Sequence, residues 1–223
     1  MNTHYSRAIH SLKATVLLLF SGLALSGPAW ATGVDVWYWL APAKVLATGQ
    51  TQCWNTNGES VSCTGTGQDG EYQKGVKPAK LRFKDNRDGT VLDVLTGLIW
   101  LKNANCFWTK TWQEALNAAN TLAPPACGLT DKSRVGDWRL PNINELRSLI
   151  DYGFDGPALS NAAGRGQWQE GDAFSGVVQA FYWSSSSYPP DPGWAWVVFL
   201  KDGLALQFSK DTYTLMWPVR GGR

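Results

Sequence analysis

The sequence predicts an α+β fold in which short strands are followed by two helices, a long loop and further strands, and three observations carry that prediction. Lys80-Leu81-Arg82-Phe83-Lys84 alternates polar and apolar residues with period two, as a half-buried strand does. Two capping-box patterns, Thr111-Trp112-Gln113-Glu114 and Asn142-Ile143-Asn144-Glu145, each open a stretch with helical apolar spacing. Beyond residue 180 the chain turns β-rich around the tight-turn pair Asp202-Gly203.

Taken from the N-terminus, residues 1–31 read as a secretory signal peptide. Arg7 and Lys13 give it a positive start, and Ala29-Trp30-Ala31 is a small-x-small cleavage signal. The apolar stretch 14–25 is shorter than the ~20 residues a membrane span needs. The mature chain is expected to begin at Thr32 and to be exported, to the periplasm or beyond the cell. No cysteine directly follows the apolar stretch, which argues against a lipid anchor. Residues 32–79 are expected to form an N-terminal extension of irregular structure and short strands, with an aromatic run Val36-Trp37-Tyr38-Trp39-Leu40 and a small cysteine loop around Asn57-Gly58. The glycine-rich stretch 65–75 reads as a linker or as a long surface loop.

The main domain is predicted over 80–223. Strands are expected at 80–84, 90–93 and 98–101, with turns at Asp88-Gly89 and Thr96-Gly97. The first helix runs to about Leu122, with Trp112, Ala115, Leu116, Ala119 and Leu122 on one face, and Pro124-Pro125 ends it. Ile143, Leu146, Leu149 and Ile150 make the buried stripe of the second helix before Gly153. Residues 153–180 are a long glycine-rich loop, either a ligand-binding loop or an excursion packed by its own aromatics. Strands follow at 194–200 and 204–208, and 213–219 is expected to close the sheet, with Pro218 marking an edge.

Composition narrows the function. Lys and Arg number 20, Asp and Glu 18, and hydrophobic residues make up 44%, as in an ordinary globular chain. Removing 1–31 takes away Arg7, Lys13 and both histidines, His4 and His10, leaving a charge-balanced chain without histidine. That absence excludes Ser-His and Cys-His nucleophiles and His-containing zinc sites, and it removes the commonest general base. Charge balance argues against nucleic acid as a partner, and no cofactor or metal is predicted.

Cys53, Cys63, Cys106 and Cys127 are an even set in an exported chain, so disulfides are expected. Of three connectivities, Cys53–Cys63 with Cys106–Cys127 is favoured, because each pair closes a modest loop around a turn-rich or short helical segment. A zinc site would want paired Cys-x-x-Cys spacing, which the sequence lacks.

Several groups invite chemistry. The serines 184–187 have no base to activate them and are expected to hydrogen-bond at a strand end. Glu170 with Asp172, and Glu145 with Asp151, are the nearest carboxylate pairs, though neither spacing is diagnostic. Asp85, Asp88 and Asp93 surround a turn in which Arg87 stands where a calcium loop wants a ligand. Lys80, Arg82 and Lys84 are expected to project from one strand face, as a polyanion patch or as a lysine-protected edge strand. Tryptophan is the most telling residue, at 13 copies. Trp100, Trp112, Trp138 and Trp183 are expected in the core. Trp108, Trp168 and Trp194 stand beside loops and, with Tyr188 and Asp191, are the candidate ligand contacts, since indole faces stack on the C–H faces of sugars.

These motifs assemble into a recognisable order. Asp85-Asn86-x-Asp88-Gly89-Thr90-Val91-x-Asp93, Thr96-Gly97-Leu98-x-Trp100, Asp137-Trp138-Arg139-Leu140-Pro141-Asn142, Tyr182-Trp183-Ser184-Ser185, Ala195-Trp196-Val197 and Val219-Arg220-Gly221 resemble the bacterial Lcl C-terminal domain family, named for the Legionella collagen-like adhesin. The resemblance implies a C-type-lectin-like fold with two helices flanking a small twisted antiparallel sheet and a long-loop ligand face. It also implies glycosaminoglycan binding and trimers, as in that adhesin. This sequence has no collagen tract, lacks the Glu-Pro-Asn and Trp-Asn-Asp motifs of calcium-dependent lectins, and carries Met216-Trp217-Pro218-Val219-Arg220 where many members read Val-Arg-x-Val-Arg. The expectation is therefore an exported, non-enzymatic module binding a glycan or another surface ligand through the loops between 153 and 194. The alternatives are a polyanion adhesin using Lys80, Arg82 and Lys84, and an enzyme on the related formylglycine-generating scaffold, which relies on redox-active cysteines.

Overall fold

Residues 45–221 are described by the structure, a computed structural model, and belong to one compact unit. The signal peptide expected over 1–31 and the aromatic run at 36–40 lie outside the described residues. No helix among the described residues is long and apolar enough to cross a membrane.

An N-terminal arm, residues 45–79, carries the hairpin β1 (Cys53–Trp54) and β2 (Ser60–Val61), tied by the Cys53–Cys63 disulfide. Asn55 Oδ1 accepts the Asn57 and Glu59 amides and so shapes the turn. The stretch 65–75 is folded rather than a linker. It holds the single turn α1 (Asp69–Tyr72), and the Glu71 carboxylate accepts the Gly65 and Gly67 amides at 2.7 and 2.8 Å. The arm is seated on the rest of the chain, with Tyr152 N donating to Thr48 O at 2.7 Å.

Then come β3 (Phe83–Asp85), β4 (Thr90–Asp93), β5 (Ile99–Leu101), α2 (Trp112–Thr121), α3 (Ile143–Arg147), β6 (Phe181–Ser187), β7 (Trp194–Phe199), β8 (Ala205–Ser209) and β9 (Val219–Arg220). The class is α+β, but the strands form two sheets where one was expected. One is antiparallel in the order β3-β4-β5-β9, the other in the order β6-β7-β8. The segment 213–219 belongs to both. Leu215 bridges to Tyr182 of β6, Thr214 to Lys110, and β9 then pairs with β5 as an edge strand. Pro218, which has no N–H to give, only accepts, from Leu101 N at 3.0 Å.

Both capping boxes form: Thr111 with Glu114 on α2, and Asn142 with Glu145 on α3. The α2 boundaries agree with the sequence, and Ala115, Ala119 and Leu122 are buried. The second helix is shorter than its apolar stripe implied. Leu149 and Ile150 are buried in the turn that follows it, because Ile150 pairs across to Leu159 instead of continuing the helix.

Alternation along β6 and β7 feeds two cores on opposite faces of the smaller sheet. Tyr182 and Val198 join Trp100, Trp138, Leu146 and Trp217, while Trp183, Ala195 and Val197 join Ala115, Ala119, Leu140 and Met216 of the α2 side. Buried indoles are mostly satisfied. Trp138 donates to Ser133 Oγ (2.9 Å), Trp183 to Lys110 O (2.9 Å) and Trp217 to Leu101 O (2.7 Å). The long loop 153–180 takes the packed form. Ala158, Leu159, Ser160 and Phe174 are buried, bridges Ile150–Leu159 and Asn103–Ser175 hold it to the core, and Ser160–Gln167 closes it on itself.

Candidate functional site

The β6–β7 turn is built by its own backbone. Tyr188 N donates to Trp194 O, Asp191 N to Tyr188 O, and Trp194 N to Asp191 O, while Asp191 Oδ1 accepts Gly193 N at 3.1 Å. This turn brings Tyr188, Asp191 and Trp194 together at one end of the smaller sheet. Trp194 opens β7 opposite Ser209 and is 38% exposed, and Tyr188 meets Trp196 edge to face at 5.3 Å.

Lys210, just past β8, completes this end. Its amide donates to Gly193 O, and its ammonium sits 4.0 Å over the Trp112 ring while donating to Ser187 Oγ at 2.8 Å. Trp112, placed in the core by sequence, is only half-buried, and its indole donates to Ser184 O. Trp196 was legible as the residue two places along from Trp194, hence on the same face of the strand. Lys210 was not, because only the register of β8 on β7 brings it beside Gly193.

The remaining loop tryptophans are elsewhere. Trp168 is half-buried against the main core and donates to Phe174 O at 3.3 Å, so it braces the long loop. Trp108 is 72% exposed on the segment after Cys106, with φ of 54°.

The basic strand needs correction: Lys80, Arg82 and Lys84 do not share an exposed face. Lys80 and Lys84 are exposed, but Arg82 is 5% exposed. Arg82 N and Phe83 N both donate to Ala162 O, so the strand begins only at Phe83 and the period-two pattern does not extend back to residue 80. The Arg82 guanidinium donates to Ser160 Oγ and Ser148 O, with the charges of Asp93 and Asp151 close by. Burial pushes the Asp93 and Asp151 carboxyls above their usual range, and the nearby Arg82 opposes that rise.

Other candidate groups are used structurally. Ser184 Oγ donates to Trp196 O, and Ser186 Oγ accepts the Ile143 amide. Glu170 and Asp172 accept the amides of Gly176 and Gln169. Asp85 and Asp88 hold the β3–β4 turn through the Arg87 and Thr90 amides. Among the described residues no group of three His, Cys, Asp or Glu is placed to hold a metal. Both disulfides, Cys53–Cys63 and Cys106–Cys127, have the connectivity favoured from the sequence.

A disulfide-braced α+β domain with an aromatic, hydrogen-bonding end to its smaller sheet is the class these features define. A family model described as the Lcl C-terminal domain matches residues 89–220, more than half of the chain, and the protein belongs to that family. No curated protein matches the sequence. The match starts inside the β3–β4 turn, so the arm and β3 lie outside it.

Proposed function

We propose that this protein is an exported, non-enzymatic binding module that recognises a glycan or another surface ligand through the end of its smaller sheet, on a C-type-lectin-like fold. The observation that carries the reading is the grouping of exposed Trp194 with the Tyr188–Trp196 pair, Asp191 and the Trp112-stacked Lys210. Rigid aromatics supply contact area at little entropic cost, and the turn's polar groups supply direction. The Lcl family membership supports an adhesin-type role, and the pairing of all four cysteines speaks against redox-active thiols. The family resemblance also implies a trimer, which light scattering of the purified protein would measure.

A glycan-array screen of the protein at two salt concentrations, with calcium or with chelator, tests the reading. Salt-insensitive binding that is lost in Trp194→Ala and kept in Trp108→Ala supports it. Binding to sulfated glycans that collapses with salt would favour the polyanion reading, now resting on Lys80 and Lys84 without Arg82. Absence of binding to any glycan leaves carbohydrate recognition without support.

A further inference from the structure

The seam between the arm and the main domain encloses a cavity of about 400 Å³, within the range of small-molecule sites. Its apolar wall is Leu46, Val76, Leu95, Ile150 and Phe154. Thr48, Gln50 and Gln73 add hydroxyl and amide groups, and Lys77, Arg82, Arg165 and Asp151 bring the charges.

The walls are tightly fitted. A Cβ on Gly49, whose φ is +86°, would overlap the Asp151 carboxylate, and one on Gly153 would lie 2.5 Å from Gly49 O. A backbone hydrogen bond from Tyr152 to Thr48 closes the same seam, and one from Ala47 to Val76 holds the arm's own wall together. A cavity held this way is preformed, so a ligand entering it meets little ordering cost.

Charge then selects the ligand. Arg82 is balanced by Asp93 and Asp151, but Lys77 and Arg165 have only neutral partners among the described residues. Lys77 Nζ donates to Gln73 Oε1 at 2.6 Å and Arg165 Nη2 to Ala79 O at 3.0 Å. The lone acid on the wall, Asp151, is already set against Arg82 and leaves the charges of Lys77 and Arg165 uncompensated. We propose that this cavity binds a small organic anion, its carboxylate or sulfate held by Lys77 and Arg165 and its body packed on Leu46, Val76 and Leu95. Leu46, Val76, Lys77 and Arg82 all precede the region the family match covers, so the site belongs to this chain's arm rather than to the domain alone.

The test is an amide-resolved NMR titration of the protein with glucuronate, glucose 6-sulfate, hexanoate and, as the neutral control, glucose. Saturable shifts at Thr48, Gln50 and Gln73 are expected with at least one of the anions and not with glucose, and which anion binds separates sugar acids from aliphatic acids. The Lys77→Gln/Arg165→Gln double variant should weaken binding about tenfold or more, the loss expected when charge-assisted contacts are removed. Leu95→Trp, which fills the cavity, should abolish the shifts, with melting curves checking that both variants fold. Trp194→Ala should leave them intact, which keeps this site separable from the sheet-end surface. No saturable shift with any anion, equal shifts with glucose, or unchanged affinity in the double variant overturns the proposal.

Discussion

Arg139 holds Glu145 in a two-pronged ion pair, Nη1 to Oε2 and Nη2 to Oε1, both at 2.7 Å. The same Glu145 carboxylate accepts the Asn142 amide and so caps α3, and Arg139 Nη2 also reaches Gly221 O. One contact thereby ties the start of α3 to the end of β9. Glu145 holds the Arg139 guanidinium more firmly charged than an isolated one, against the opposing effect of burial.

Arg139→Ala should therefore destabilise the domain by about 1 kcal/mol, since the arginine is partly solvated and screened. For a domain of this size that is a drop of roughly 3 °C in melting temperature. Arg139→Lys, which keeps the charge without the fork, should recover only part of it. A variant melting with the parent would sink the clamp.

Gly49→Ala should release the arm. With φ of +86° and the Asp151 carboxylate where its Cβ would go, residue 49 cannot carry a side chain in place. Limited trypsin digestion should then cut at Lys74 and at Lys80, exposed at the end of the arm, faster than in the parent, while melting of the main domain changes little. Unchanged cleavage at both lysines would show that the seam does not depend on this close approach.

The disulfides should separate in their effects. Cys106–Cys127 spans 21 residues and packs against the main core, so replacing both cysteines by serine should cost roughly 3 kcal/mol. Cys53–Cys63 spans 10 residues within the arm and should cost less. Denaturant melts of the two double-serine variants measure the difference, and an equal or reversed order would contradict it.

Stability should carry a pH signature from Asp93. Burial raises its carboxyl pKa despite Arg82, and its Oδ2 has no partner among the described residues. The folded state thus binds the proton more tightly than the unfolded chain. Its contribution to stability is full below the ordinary carboxylate value of about 4 and is lost as pH rises through the higher folded value. Asp93→Asn keeps an oxygen for the Leu95 amide, accepted at 2.9 Å, and removes the titration. Relative to the parent, its melting temperature should gain as pH rises through that interval; a constant difference between the two would reject the assignment.

Local signals survived folding well. The capping boxes start α2 and α3 where their side chains dictate, and Asp202-Gly203 turns β7 into β8, because each depends on groups within four residues of one another. The exposed cluster at the sheet end was half legible: Tyr188, Asp191 and Trp194 share one turn, whereas Lys210 arrives through strand register. Trp168 is half-buried against the core, which its sequence position did not reveal, because proximity to a loop says nothing about which side of the loop faces the core.

By itself the sequence determined the α+β class and most element starts, since these follow from periodicity and short-range hydrogen bonding; loop length favoured the disulfide partners that form, and the order of its motifs carried the family resemblance. Tertiary structure alone decided that Arg82 turns inward, that residues 213–219 divide between two sheets, and that the arm closes a cavity against Asp151. Those outcomes rest on pairings between residues tens of positions apart, such as Arg82 with Ser160 or Thr48 with Tyr152. The net free energy of such pairings depends on burial, which no local window of sequence contains.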